Sequence, residues 1–171
     1  MHQSILMPPP LLRIAFLECD TPLANTQARY GGYGGVSAAL LERAIMTAAD
    51  THQKQQPTPS LVLSCFDVVG AQAYPALDDV DAIWLTGSHY NAFDNAAWIC
   101  RLVGFVRHVV YAQRRVRIIG VCFGHQIVAR ALGGTVARSP QGWEVGVTPV
   151  LLTPRGQELF ARSALVCLAP S

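Results

Sequence analysis

A chain of 171 residues is long enough for one domain with a substantial core. With 51% hydrophobic and 14% charged residues, it is too apolar for a disordered chain. The net charge of +2 has no basic cluster behind it, which argues against nucleic acid or an anionic membrane as partner, and no apolar run is long enough to span a bilayer.

Residues 1–10, with Pro8-Pro9-Pro10, read as a flexible lead, and residues 11–171 as one domain. Leu11 to Leu17 is the first strand, ending at Glu18-Cys19-Asp20-Thr21-Pro22. The Gly-rich loop Tyr30 to Gly35 opens a helix with Val36, Leu40, Leu41, Ile45 and Ala48 on its apolar face. It lacks the spacing of a phosphate cradle and reads as a turn at the mouth of a site. Gln53 to Ser60 is a polar connection, Leu61 to Phe66 a second strand and Asp81 to Thr86 a third, stopping at Gly87-Ser88. Asp78, Asp79 and Asp81 read as a charged turn before that strand, not as metal ligands. Asp94 or Asn95 is placed to cap a helix lined by Trp98, Ile99, Leu102, Val103, Val106, Val109 and Val110.

Val116 to Val121 is the fourth strand and Phe123 to Leu132 the helix after it, closed by Gly133-Gly134. Thr135 to Arg138 reads as another strand, Trp143 to Leu152 as extended, and Pro154 as the start of a short helix to Ala161. Apolar strands alternating with amphipathic helices imply an α/β fold: a doubly wound, mainly parallel sheet with helices on both faces. Sites in such sheets form at the carboxyl ends of the strands. The five cysteines, Cys19, Cys65, Cys100, Cys122 and Cys167, are odd in number and show neither a CxxC pair nor Cys/His ligand spacing. Neither a disulfide framework nor a zinc site is indicated, and a reducing, cytosolic setting fits.

One cysteine differs from the rest. In Gly120-Val121-Cys122-Phe123-Gly124-His125-Gln126, the thiol sits at a sharp strand-to-helix turn with a glycine two residues away on either side. That is the layout of a nucleophile elbow, which presents a side chain at the carboxyl end of a strand. The positive end of the helix dipole stands behind the sulfur. The chemistry implied is acyl transfer through a thioester. Cys19, Cys65, Cys100 and Cys167 have apolar neighbours and read as core or tail.

Three motifs in order, Leu85-Thr86-Gly87-Ser88, the elbow continued by Ala131-Leu132-Gly133-Gly134, and Gly142-Trp143-Glu144-Val145-Gly146, resemble the class I glutamine amidotransferase-like family. The resemblance runs from the first strand to about Phe160 and is nearest to stand-alone fungal and plant members. It implies a flavodoxin-like fold, no metal or organic cofactor and no obligatory synthetase partner. Carried over by motif, Cys122 attacks the γ-carboxamide carbon of glutamine, and the backbone N–H groups of Gly87 and Phe123 form the oxyanion hole. Gln126, Trp143, Glu144 and Val145 would hold the amino-acid end of the substrate. Some relatives of this type hydrolyse γ-glutamyl peptides instead.

The family's base is a histidine of a Gly-His-Pro-Glu type motif, and no histidine follows His125 in this chain. The expectation is a form of the family shortened at its C-terminus, impaired in acid–base chemistry worth roughly 10²–10⁴-fold. A non-catalytic fragment, or a protein that only binds glutamine-like ligands, is the alternative. His125 is expected on the helix flank or in solvent; His89, after the third strand, is the better-placed stand-in, though a polar loop histidine is the ordinary reading.

Overall fold

The computed structural model describes residues 10–51, 59–140, 142 and 146–169. The described chain falls into two compact units that divide between Val136 and Ala137.

The first unit contains β1 (Leu11–Glu18), α1 (Ala24–Tyr30), α2 (Tyr33–Thr51), β2 (Ser60–Asp67), β3 (Ala82–Leu85), α3 (Ala97–Ala112), β4 (Arg117–Gly120) and α4 (Phe123–Ala131). Its four strands are all parallel, in the order β2-β1-β3-β4. Phe16 of β1 lies opposite Cys65 on one side and Trp84 on the other. The expected doubly wound α/β architecture is thus present, and its order reverses between β1 and β3.

Period-two alternation along β1 sorts its side chains to two faces. Ala15, Leu17 and Cys19 enter a core with Ile83 and Leu85 of β3 and the buried faces of α3 and α4. Ile14 and Phe16 point the other way, with Ala38 and Leu41 of α2 packed nearby. Both faces of β1 are therefore covered, and Phe16 and Leu17 are fully buried, each worth about 1.5–3 kcal/mol on that account. Trp98, Ile99, Leu102, Val106 and Val109 form the buried stripe of α3, and Phe123, Ile127 and Ala131, at four-residue spacing, that of α4.

Several local expectations are corrected. A helix, α1, precedes the Gly-rich loop, which shrinks to Gly31 and Gly32, because Gly31 takes the left-handed conformation (φ 74°) that ends α1. Gly34 and Gly35 belong to α2, and Leu40 is exposed instead of facing the sheet. Ala48 and the polar connection over 52–58 lie outside the described side chains. Ala96, not Asp94 or Asn95, is the N-cap of α3, without a side-chain bond. Arg130 of α4 takes the Asn95 side chain instead, donating to Oδ1 at 2.6 Å and to the Asp94 backbone carbonyl at 2.7 Å, while the Asp94 carboxylate accepts from Asn91 Nδ2 at 3.2 Å. Thr135 to Arg138 forms no strand, since no ladder partner meets it among the described residues.

The second unit pairs β5 (Gly146–Leu151) with β6 (Ala164–Ala169) in antiparallel register, Leu151 opposite Ala164, around α5 (Pro154–Phe160). Thr153 caps α5 by accepting from the Gly156 N–H at 3.2 Å, with Pro154 at the first helical position as expected. β6, in the apolar tail, was not among the predicted strands. No described helix is long and apolar enough to cross a membrane.

The amino-terminal end of the sheet is tied by charge. Asp81 accepts from Arg13 N–H at 2.9 Å, Nε at 3.1 Å and Nη2 at 2.8 Å, and from Arg115 Nη1 at 3.4 Å. The charged turn expected there is a single 3₁₀ turn, Leu77–Asp79, whose Leu77 carbonyl accepts from Arg115. The Arg13 side-chain bonds first, then its backbone N–H, hold the Asp81 carboxyl down from 3.8 to about 2. A depressed folded-state pKa contributes stability that is complete above the ordinary value and is lost as pH falls through the folded one. Asp81→Asn is therefore expected to lower the thermal midpoint at neutral pH, less so in high salt because the pair is partly exposed. The gap between the two melting curves should close as pH falls from about 4 to about 2; a gap independent of pH would show that charge is not the cause.

Candidate active site

β4 stops at Gly120, but Val121 still donates to the Leu85 carbonyl at 3.1 Å, so the chain leaves the sheet with its register to β3 intact. It then turns into α4 at once: the Gly124 N–H reaches the Val121 carbonyl at 2.9 Å and the Gln126 N–H the Cys122 carbonyl at 3.1 Å. This reversal forces Cys122 to φ 51° and ψ −110°, a conformation that costs an L-residue about 1–3 kcal/mol. The Cys122 side chain is exposed, and Phe123, next in the chain, is buried against Trp98 with ring centroids 5.7 Å apart.

Both flanking glycines are required by clearance. A β carbon at Gly120 would lie 2.7 Å from the carbonyl carbon and oxygen of Gly124 and from His125 N. One at Gly124 would lie 2.5 Å from the Leu85 carbonyl oxygen and 2.6 Å from Leu85 Cβ. The first glycine lets the helix start immediately behind the strand, and the second lets that helix lie against β3. At Gly87 an added β carbon would stand 3.7 Å from Cys122 Cβ, an ordinary contact, so the loop after β3 passes directly beside the elbow. The amides of Gly87 and Phe123 have no internal acceptor among the described residues.

The loop after β3 is fastened to the exit of β1. Thr86, a buried polar residue, donates its N–H to Leu17 O at 3.1 Å and accepts from the Cys19 N–H through Oγ1 at 2.9 Å. The same hydroxyl donates to the Gly87 carbonyl at 3.1 Å. Asp20 Oδ2 accepts the His89 N–H at 2.8 Å and meets His89 Nδ1 at 2.5 Å, while Oδ1 accepts the Thr21 N–H at 2.8 Å. The His89 ring is 69% exposed and the Asp20 side chain only 9%.

A cavity of about 160 Å³ lies at the exits of β1 and β2, lined by Glu18, Asp20, Gln27, Gly31, Gly32 and Asp67. Its carboxylates are already occupied. Glu18 accepts the Gly34 N–H at 2.8 Å, and Asp67 accepts the N–H groups of Val69, Gly70 and Ala71 at 2.9 Å each, which holds its carboxyl below the usual range. No group of three or more His, Cys, Asp or Glu side chains among the described residues is arranged to hold a metal ion.

Gln126 and His125 are both exposed on the first turns of α4, His125 as the sequence suggested. Trp143, Glu144 and Val145 lie outside the described residues. Cys19 is buried, as expected, and burial pushes its thiol up to about 12. Cys65 and Cys100 are exposed rather than in the core, since Cys65 stands on an edge strand and Cys100 on the outer side of α3. The side chain of Cys167 is outside the described set. Asp20 and Thr86 were not singled out in advance, although a carboxylate two residues past a strand end and a threonine before Gly-Ser are the signals that mark them.

The family model for glutamine amidotransferase class-I matches residues 76–164, just over half of the chain, spanning β3, the Gly87 loop and the elbow. The chain belongs to that family. A glutamine amidotransferase-like protein of Schizosaccharomyces pombe is 35% identical over 156 residues, covering 89% of this chain and 60% of the relative. Gamma-glutamyl peptidase 3 of Arabidopsis thaliana is 31% identical over 83 residues, 48% of this chain and 32% of that protein. This glutamine amidotransferase-like chain thus spans about 60% of the length of its fission-yeast relative. A crystal structure of a glutamine amidotransferase from Thermotoga maritima shares the fold at 13% identity, with a TM-score of 0.59 over 92% of this chain and 59% of that one.

The clearance argument for this amidotransferase-family elbow is testable. Gly124→Ala is expected to destabilise the chain by about 1–3 kcal/mol, because α4 must move off Leu85. Urea unfolding of the two chains measures this, and an unchanged midpoint would mean that helix and strand are not in close contact there.

Proposed function

We propose that this chain carries the nucleophile of a hydrolase acting on γ-glutamyl amides, with glutamine as the lead substrate. In this reading the Cys122 sulfur attacks the γ-carboxamide carbon, the amides of Gly87 and Phe123 stabilise the oxyanion, and ammonia leaves a γ-glutamyl thioester that water hydrolyses. The observation that carries the reading is the strained, exposed Cys122 with Gly87 packed beside it, in a chain of the class-I family. Gln126, one turn along α4 from Cys122, and Trp143, Glu144 and Val145 by motif, would receive the amino-acid end of the substrate. A γ-glutamyl peptide is the second candidate substrate, favoured by the similarity to Arabidopsis proteins named gamma-glutamyl peptidases, at 31% identity over 83 residues in one and 36% over 69 in another.

The 171 residues contain no histidine after His125. A thioester mechanism needs a proton acceptor for the thiol and a donor for the leaving amine, and losing such a group costs roughly 10²–10⁴-fold. The chain by itself is thus expected to acylate slowly.

A γ-glutamyl chloromethyl ketone should label Cys122 slowly but above the rate in urea, with no label on Cys122→Ala. Steady-state ammonia release from glutamine, and amine release from a γ-glutamyl peptide, should stay near background. Labelling no faster than in the denatured chain would remove the nucleophile reading. Turnover matching an intact relative and abolished in Cys122→Ala would instead remove the impairment and require a base within these residues.

A further inference from the structure

We propose that Asp20 and His89 act as a positioning pair that fixes the Gly87 amide beside the Cys122 sulfur. This inference rests on the thioester reading above, because it assigns a use to residues outside the elbow motif. Glycine is the most mobile of residues, and an oxyanion donor is useful only if it is held in place before the charge develops. The segment from Thr86 to Asn91 has no helix or strand of its own to hold it.

Its hold comes from the exit of β1, on both sides of Gly87. Before it, the Thr86 N–H bonds Leu17 O and Thr86 Oγ1 accepts the Cys19 N–H. After it, Asp20 Oδ2 receives both the backbone N–H and the ring Nδ1 of His89, at 2.8 and 2.5 Å. Gly87 and Ser88 are thereby pinned between two clamps that share one strand end. Asp20 can serve as an anchor because its side chain is nearly buried and its second oxygen is fixed by the Thr21 N–H.

The pair also links the two candidate oxyanion donors. The His89 ring lies tilted against Tyr90 at 4.1 Å, Tyr90 meets Trp98 edge-on at 5.2 Å, and Trp98 stacks on Phe123 at 5.7 Å. A shift of the Gly87 loop is therefore felt at the residue whose N–H is the other donor.

The test separates reactions of Cys122 that need an oxyanion hole from those that do not. A γ-glutamyl aldehyde forms a reversible thiohemiacetal: the thiol adds to the carbonyl carbon, and the oxygen takes the proton or is held as the oxyanion. Iodoacetamide alkylates sulfur by displacing iodide and develops no oxyanion. Asp20→Ala is expected to weaken aldehyde affinity by roughly 10–100-fold while the iodoacetamide rate at Cys122 stays within about twofold. Asp20→Asn, which still accepts the His89 N–H, should recover most of the loss. Should Asp20→Ala not fold, His89→Ala carries the same comparison with a smaller expected loss. Unchanged aldehyde affinity, or equal loss in both reactions, would overturn the positioning role. If Cys122→Ala binds the aldehyde as well as the parent chain does, the thioester reading itself fails and takes this proposal with it.

Discussion

The turn at Cys122 depends on space that two missing side chains leave open. α4 can begin one residue after the thiol only because nothing projects from Gly120 into its first turn, and it can lie on β3 only because nothing projects from Gly124 into Leu85. The buried stripe of Phe123, Ile127 and Ala131 then seals the helix against the core, and Arg130 anchors the segment before α3 to it through Ala92, Asp94 and Asn95. The exposed sulfur takes its position from the packing of the residues that flank it.

The two ends of the parallel sheet are held by different means. At the amino-terminal end, Arg13, Asp81 and Arg115 form a partly exposed charge network that joins β1 to the approach to β3. At the carboxyl end, where the elbow sits, the buried Thr86 bonds Cys19, Leu17 and Gly87, and Asp20 holds the exposed His89. Charge spread in water is salt-sensitive and forgiving of small shifts, whereas buried hydrogen bonds specify one geometry. That division suits a domain in which one end supports the fold and the other presents a thiol.

Much of this was legible in the sequence. The apolar runs of β1 to β4 and the stripe of α3 follow from periodicity, and the helices α4 and α5, the latter starting at Pro154, are where expected. The elbow followed from its glycines. What escaped was decided by tertiary partners. α1 buries no residue and so has no apolar stripe to read; its marks are Pro22 before it and Gly31 after it. Asn95 looks like a cap until Arg130, 35 residues on, claims its side chain, and the Asp94 carboxylate is taken by Asn91. Thr135 to Arg138 has strand-like composition but no neighbouring strand among the described residues, and β6 becomes a strand only by pairing with β5. Asp20 and Thr86 gain their place at the site from the adjacency of β1 and β3, which is a property of strand order and not of any local motif.

The conformation of residue 122 suits glycine better than the cysteine it carries. Cysteine and glycine codons differ by a single base, so the shortest mutational route away from the thiol is also one that relaxes the backbone. Drift alone, judged by foldedness, would favour a silent descendant with glycine at the elbow. A lineage that keeps sulfur there does so against a standing thermodynamic incentive to discard it.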